Sequence, residues 1–148
     1  MIKVSFPDGN TNEFKKGTKV IDVAKSISEG LARKVISASY NSEVVELSSK
    51  INEDGDIKLF TWDDDEGKKA FWHSSAHILA QTIKDIYPKS KLTIGPAIDN
   101  GFYYDVDFGG NNPSENDFKK IEAKFLEFAR EDNEFKMRLS SKSDALAY

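Results

Sequence analysis

The stretch Ile2-Lys3-Val4-Ser5-Phe6-Pro7-Asp8-Gly9-Asn10-Thr11-Asn12-Glu13-Phe14 sets the fold of the first part of the chain. Ile2, Val4 and Phe6 alternate with Lys3 and Ser5, the period of a half-buried strand. Pro7 presets φ for a turn and Gly9 accepts positive φ, so Pro7 to Asn10 reads as a hairpin tip. Thr11 to Phe14 then returns as the second strand. Beyond Gly17, Val20, Val23, Ala24 and Ile27 fall at helical spacing over Lys19 to Ile27, with Thr18 placed to cap. Val35 to Tyr40, Glu43 to Val45 and Ile57 to Trp62 read as strands, separated by turn signals at Asn41-Ser42 and Asp54-Gly55.

A hairpin, a helix and further strands within about 62 residues describe a β-grasp module, and the whole chain is α+β. The run Asp63-Asp64-Asp65-Glu66-Gly67 is too charged for a core and reads as a solvated connector. It divides the chain into residues 1–62 and 63–148. After it comes a helix from Lys69 to about Tyr87, stopped by Pro88. Leu92 to Ile98 and Gly101 to Phe108 are expected as strands of a mainly antiparallel sheet, turning at Asp99-Asn100-Gly101. A helix from about Ser114 to Asn133 carries the stripe Phe118, Ile121, Phe125 and Phe128. Phe135 to Leu139 alternates, and Asp144 to Tyr148 reads as the start of another helix.

The composition excludes several functions. The chain has 148 residues and no cysteine, so it holds no disulfide and no thiolate metal site. A formal net charge of −4 argues against independent nucleic-acid binding, which needs clustered basic surface. No apolar run approaches the ~18 residues of a membrane span, and Met1 to Asn10 has no secretory apolar stretch. A cytoplasmic, membrane-free protein is the expectation.

The two histidines of the chain, His73 and His77, fall in His73-Ser74-Ser75-Ala76-His77. At i and i+4 they share a helix face, and that face is turned well away from Trp72, Leu79, Ile83 and Ile86. They therefore face solvent or a cleft, with Ala76 and Ala80 as a low floor beside them. Such a pair can hold part of a metal site or flank a polar substrate. A metal site takes three or four ligands, and two histidines without cysteine make half of one, so no metal is expected within this chain. In the second strand region Gly95-Pro96 interrupts the pattern, as a bulge or a place of close approach. Tyr103 and Tyr104 should point to opposite faces.

Three stretches resemble the bacterial threonyl-tRNA synthetase family. They are Pro7-Asp8-Gly9 with Val20-Ile21-Asp22-Val23-Ala24, as in the TGS module; His73-Ser74-Ser75-Ala76-His77; and Ile94-Gly95-Pro96-Ala97-Ile98-Asp99-Asn100-Gly101-Phe102-Tyr103-Tyr104-Asp105. The resemblance implies a TGS domain over 1–62 and the first part of a threonyl/alanyl-type editing domain over 63–148. It implies that His73 and His77 are catalytic in hydrolysing serine wrongly attached to threonine tRNA. Gly95 is implied as pocket wall and Tyr104 as a contact to the terminal adenosine. The family completes the pocket with a later Cys/His motif and a lysine, and elsewhere activates threonine with ATP beside a catalytic zinc. Those parts do not occur in this sequence, so the resemblance implies an N-terminal piece of a homodimeric enzyme, inactive by itself and with little or no grip on tRNA. Two other readings fit the residues: a freestanding metal-dependent His-x-x-x-His hydrolase, and a β-grasp binding module without catalysis. An incomplete second part should leave apolar surface exposed around Phe102, Phe118 and Phe125, favouring dimerisation or disorder near the end.

Overall fold

The computed structural model describes residues 1–131, 133 and 139–147. Strands β1 (Ile2–Ser5) and β2 (Thr11–Phe14) pair antiparallel, Ile2 opposite Phe14 and Ser5 opposite Thr11. The Asp8 carboxylate accepts the Asn10 N–H at 2.9 Å, and Gly9 takes φ +84°, so the hairpin tip is as the residues require. Strand β3 (Thr18–Lys19) leads into helix α1 (Val20–Ile27). Thr18 is not the cap. Its hydroxyl donates to the Lys15 carbonyl at 2.8 Å. The first helical N–H groups instead find the main chain of a neighbouring segment: Val20 donates to Ser49 O and Ile21 to Leu47 O. With the orphan donors of the helix start satisfied in this way, no capping side chain is needed.

The short helix α2 (Glu29–Ala32) is capped by Ser28, whose Oγ accepts the Leu31 N–H at 3.0 Å. Strands β4 (Ser37–Tyr40) and β5 (Glu43–Val45) are joined by Asn41 and Ser42, at φ +50° and +67°, a two-residue turn matched to strand twist. Strand β6 (Lys50–Ile51) pairs with β3, and β7 (Gly55–Phe60) completes the main sheet. Its order is β2-β1-β7-β4-β5. The first and last strands, β1 and β7, run parallel in its interior, and the other pairs are antiparallel. Helix α1 covers one face and buries Val20 and Val23 against Ile2, Val4, Ala38, Ile51 and Ile57. This is the β-grasp arrangement.

Helix α3 (Asp65–Ile86) begins four residues before Lys69. The acidic run is therefore no loose connector. Asp65 and Glu66 form the first helical turn, where carboxylates meet the positive end of the helix dipole. The Asp64 carboxylate accepts from the N–H and hydroxyl of Thr61, at 2.7 and 3.1 Å. Gly67 is buried against the Thr61 carbonyl, which leaves no room for a Cβ. Trp62, Phe71 and Trp72 pack edge to face at 5.0–5.8 Å, fastening the end of β7 to α3. The far end of α3 is closed by Lys84, whose Nζ donates to the Pro88 and Ser90 carbonyls at 2.8 and 2.9 Å.

Next comes one long hairpin in two pieces, β8 (Lys91–Leu92) with β11 (Val106–Asp107), and β9 (Ala97–Ile98) with β10 (Gly101–Phe102). Continuous strands were expected here. Between the two ladders, residues 93–96 face residues 103–105, four against three; Thr93 N–H donates to Asp105 O while Asp105 N–H donates to Ile94 O, so the register slips by one at Thr93-Ile94. This is a bulge, two residues before Pro96, whose carbonyl accepts the Tyr103 N–H in the second register.

Helix α4 (Glu115–Arg130) starts at Ser114, whose N–H donates to the Asp117 carboxylate at 2.8 Å, and stops short of Asn133. It lies along α3, with Lys124 Nζ 3.6 Å from Asp85. No residue of α4 is buried; Phe118 and Leu126 are 52% and 48% exposed. Phe102 and Phe125, expected to be open, are half-buried instead, Phe102 being tilted against Trp72. Helix α5 (Lys142–Ala147) fits the helical start read near the C-terminus. The alternating run from Phe135 lies outside the described residues except for Leu139, as does Tyr148.

Candidate functional site

Helix α3 buries Ser75, Ala76, Thr82 and Ile83 and turns His73 and His77 outward. The hydroxyls that sit on its buried face are satisfied within the helix, Ser75 Oγ donating to Phe71 O and Thr82 Oγ1 to Ile78 O, both at 2.9 Å. The two imidazoles meet edge to face, ring centres 4.6 Å apart and Nε2 to Nε2 at 3.0 Å. At that distance one Nε2–H donates to the lone pair of the other, so at least one ring is neutral.

His77 takes up a proton less readily than a free imidazole. Partial withdrawal from water disfavours its charged form, and a charge on His73 adds repulsion. Its folded-state pKa lies below 6.5, so between that value and 6.5 the unfolded chain binds more protons than the folded one. The His77 contribution to stability is thus complete above 6.5 and declines as the pH falls through that window. An NMR titration should give a His77 midpoint below 6.5, and His73→Ala should move it upward. An unchanged midpoint in that variant would contradict the coupling.

The bulged hairpin reaches α3 one residue before His77. A Cβ on Gly95 would stand 3.3 Å from the Ala76 methyl and clash with the edge of the Tyr104 ring, so glycine lets the hairpin lie this close with Tyr104 packed over it. Tyr104 is half-buried over Gly95, and Tyr103 on the opposite face is 65% exposed. Tyr104 lines a cleft of about 810 Å³ with Leu79, Ile83, Phe118 and Ile121, between α3, the hairpin and α4. His73 lines a different groove of about 490 Å³, with Ala97 to Asp99 at the hairpin tip and Val44 and Phe60 of the β-grasp sheet. The fold therefore brings His73, His77 and Gly95 into one neighbourhood. Tyr104 lines the α3–α4 cleft and not the groove lined by His73.

Lys69 and Glu66 also line the His73 groove and were not singled out from the sequence. Lys69 is four residues before His73, so the same helical spacing could have found it. Among the described residues no group of three histidine or acidic side chains is placed to hold a metal ion.

A five-stranded β-grasp sheet with a parallel β1–β7 pair is thus joined through aromatic contacts to a helix with two surface histidines. Residues 2–61 match the family profile described as TGS domain. The whole chain is related to threonine--tRNA ligases. It is 58% identical to the Threonine--tRNA ligase of Flavobacterium psychrophilum over 146 residues, 99% of this chain and 22% of that protein. The corresponding ligase of Cytophaga hutchinsonii is 50% identical over all of this chain and 23% of its own length. That of Clostridioides difficile is 55% identical over 132 residues, 89% of this chain and 20% of its own length. The chain thus spans about a fifth of the length of these curated relatives.

Proposed function

We propose that the chain forms the N-terminal region of a threonine--tRNA ligase, with a TGS domain over residues 1–62 and the first part of an editing domain over 63–148. The complete enzyme attaches threonine to its tRNA with ATP, works in the cytoplasm as a homodimer, and holds its catalytic zinc outside this chain. The reading of residues 63–148 rests on one observation: two outward-facing imidazoles in contact at 3.0 Å, beside a hairpin held against their helix by Gly95.

Editing answers a problem of small differences. Serine lacks only the methyl group of threonine, and one such group discriminates by about 1–3 kcal/mol in a binding pocket. A second site that admits serine and excludes threonine by size supplies the remainder. There His73 and His77 orient the ester and the attacking water. A neutral imidazole accepts the proton of that water as it adds to the ester carbonyl, then returns it to the departing ribose oxygen. The lowered proton affinity of His77 keeps such a base available near neutral pH. Gly95 forms the wall of the pocket. Tyr104 meets the terminal adenosine from the side of the α3–α4 cleft.

The test compares this chain with a full-length ligase carrying it. The full-length enzyme should release serine from seryl-tRNA for threonine, and the 148-residue chain alone should not. Hydrolysis by the chain alone would contradict the incomplete pocket; none by the full-length enzyme would contradict the editing role.

A further inference from the structure

The groove lined by His73 is built from both parts of the chain. Helix α3 supplies Glu66, Lys69 and His73, the hairpin tip supplies Asp99, and the β-grasp sheet closes it with Val44 and Phe60. Its fixed charges are two carboxylates against one ammonium, and among the described residues none of the three is in a salt bridge. Such a groove favours a cation that has apolar surface beside it. Val44, 77% exposed, leaves the sheet side open to an incoming group. An aminoacyl ester carries its cation, the α-ammonium, two bonds from the carbonyl carbon that is attacked.

Glu66 and His73 are seven residues apart on α3, so they share a face and stand about 10 Å apart along the axis. A base holds its water at about 2.8 Å, and the water stands about 3 Å from the carbonyl carbon. Two bonds of about 1.5 Å each lead from that carbon to the ammonium nitrogen, which meets a carboxylate at about 2.8 Å. Bent at each atom, this path covers roughly the same 10 Å. The direction agrees as well. Along α3 the imidazoles lie between the two hollows: Leu79 and Ile83 of the Tyr104 cleft follow them, and Glu66 of the groove precedes them.

We propose that the amino-acid end of the ester lies in the His73 groove with its α-ammonium on the Glu66 carboxylate, the β-grasp sheet forming one wall of the site. This assignment rests on the ester-hydrolysis reading and adds to it a residue that binds the substrate. Glu66 fixes the carbonyl against the imidazoles by holding the atom two bonds away, and it disfavours esters whose α-substituent is uncharged. Lys69 also lines a neighbouring hollow with Asp65 and Asn100, a polar place to which its flexible stem turns when the ammonium enters.

The test uses a full-length ligase carrying this chain and two forms of threonine tRNA, one esterified with serine and one with glyceric acid, in which a hydroxyl replaces the α-ammonium. The two esters differ in intrinsic reactivity, so the readout is the change on substitution in the ratio of their kcat/KM values. Glu66→Gln keeps the shape without the charge and should lower the seryl-to-glyceryl ratio by about tenfold, the loss falling on the seryl ester. Lys69→Gln removes the opposite charge from the same groove and should not lower it. Both side chains are exposed, so the variants keep the fold, which circular dichroism checks. A ratio unchanged in Glu66→Gln, or lowered equally in Lys69→Gln, would overturn the assignment of Glu66 and leave the ester-hydrolysis reading standing. Failure of the parent enzyme to release serine would remove both.

Discussion

Replacing His73 or His77 by alanine in a full-length ligase is expected to slow release of serine from mischarged tRNA by about 10²–10⁴-fold, the range for loss of a positioned acid–base group. Threonine attachment should be unchanged, because the proposed function assigns both imidazoles to editing and threonine activation to parts outside this chain. Both rings are outside the buried face of α3, so neither substitution opens a core cavity, and the variants should keep their thermal stability within the narrow range of surface changes. The double variant separates two mechanisms. If the rings act as a unit through their 3.0 Å contact, removing both costs little more than removing one. If each stabilises the transition state independently, the losses multiply. The structure favours the first outcome, since loss of either ring takes away the hydrogen bond that orients the other. The quantity to follow is the single-turnover rate constant for serine release at saturating enzyme. Full activity in both single variants would remove the histidines from the mechanism.

Gly67→Ala is expected to destabilise the protein by about 1–3 kcal/mol, the range for an overpacked site. The sign is the informative part. In an exposed helix interior the same change stabilises by roughly 1 kcal/mol, because alanine has less conformational freedom to lose. Here the new methyl meets the Thr61 carbonyl, a backbone group that also accepts the Asp64 N–H at 3.1 Å. Moving that carbonyl disturbs the Thr61–Asp64 bonds and the end of β7, which carries Phe60 into the sheet. Chemical denaturation of the variant should show a lower midpoint, and hydrogen exchange should show the opening concentrated at residues 60–68. A stabilised variant would mean that the junction is as loose as its acidic sequence suggests.

That junction marks where the sequence stops being legible. Periodic elements were plain: the β1–β2 hairpin, α1, β7, most of α3 and the stripe of α4 each repeat a pattern over several residues. β3, α2 and β6 have two to four residues each and carry no repeat. The start of α3 was hidden because four acids look like a solvated run whether or not their backbone is helical. Thr18 was misread because its helix is capped by main chain remote in sequence, which no local rule sees. In the site, the spacing of His73 and His77 gave the shared face but not the 3.0 Å separation. A bulge at Gly95-Pro96 was an open alternative; the extra residue sits at Thr93-Ile94 instead, and it decides which face each residue of the hairpin takes, since a slip of one residue exchanges the two faces. Tyr104 therefore packs on Gly95 towards the α3–α4 cleft, an orientation set by the partner strand.

The contact between the two imidazoles is the claim on which the rest depends, and a long-range ¹H–¹⁵N spectrum of the isotopically labelled chain at pH 7.5 reads it directly. The account predicts two neutral rings, one carrying its proton on Nε2 and the other with an unprotonated Nε2 that accepts it, and a nuclear Overhauser effect between them. Two rings in independent tautomeric exchange, with no effect between them, would contradict it.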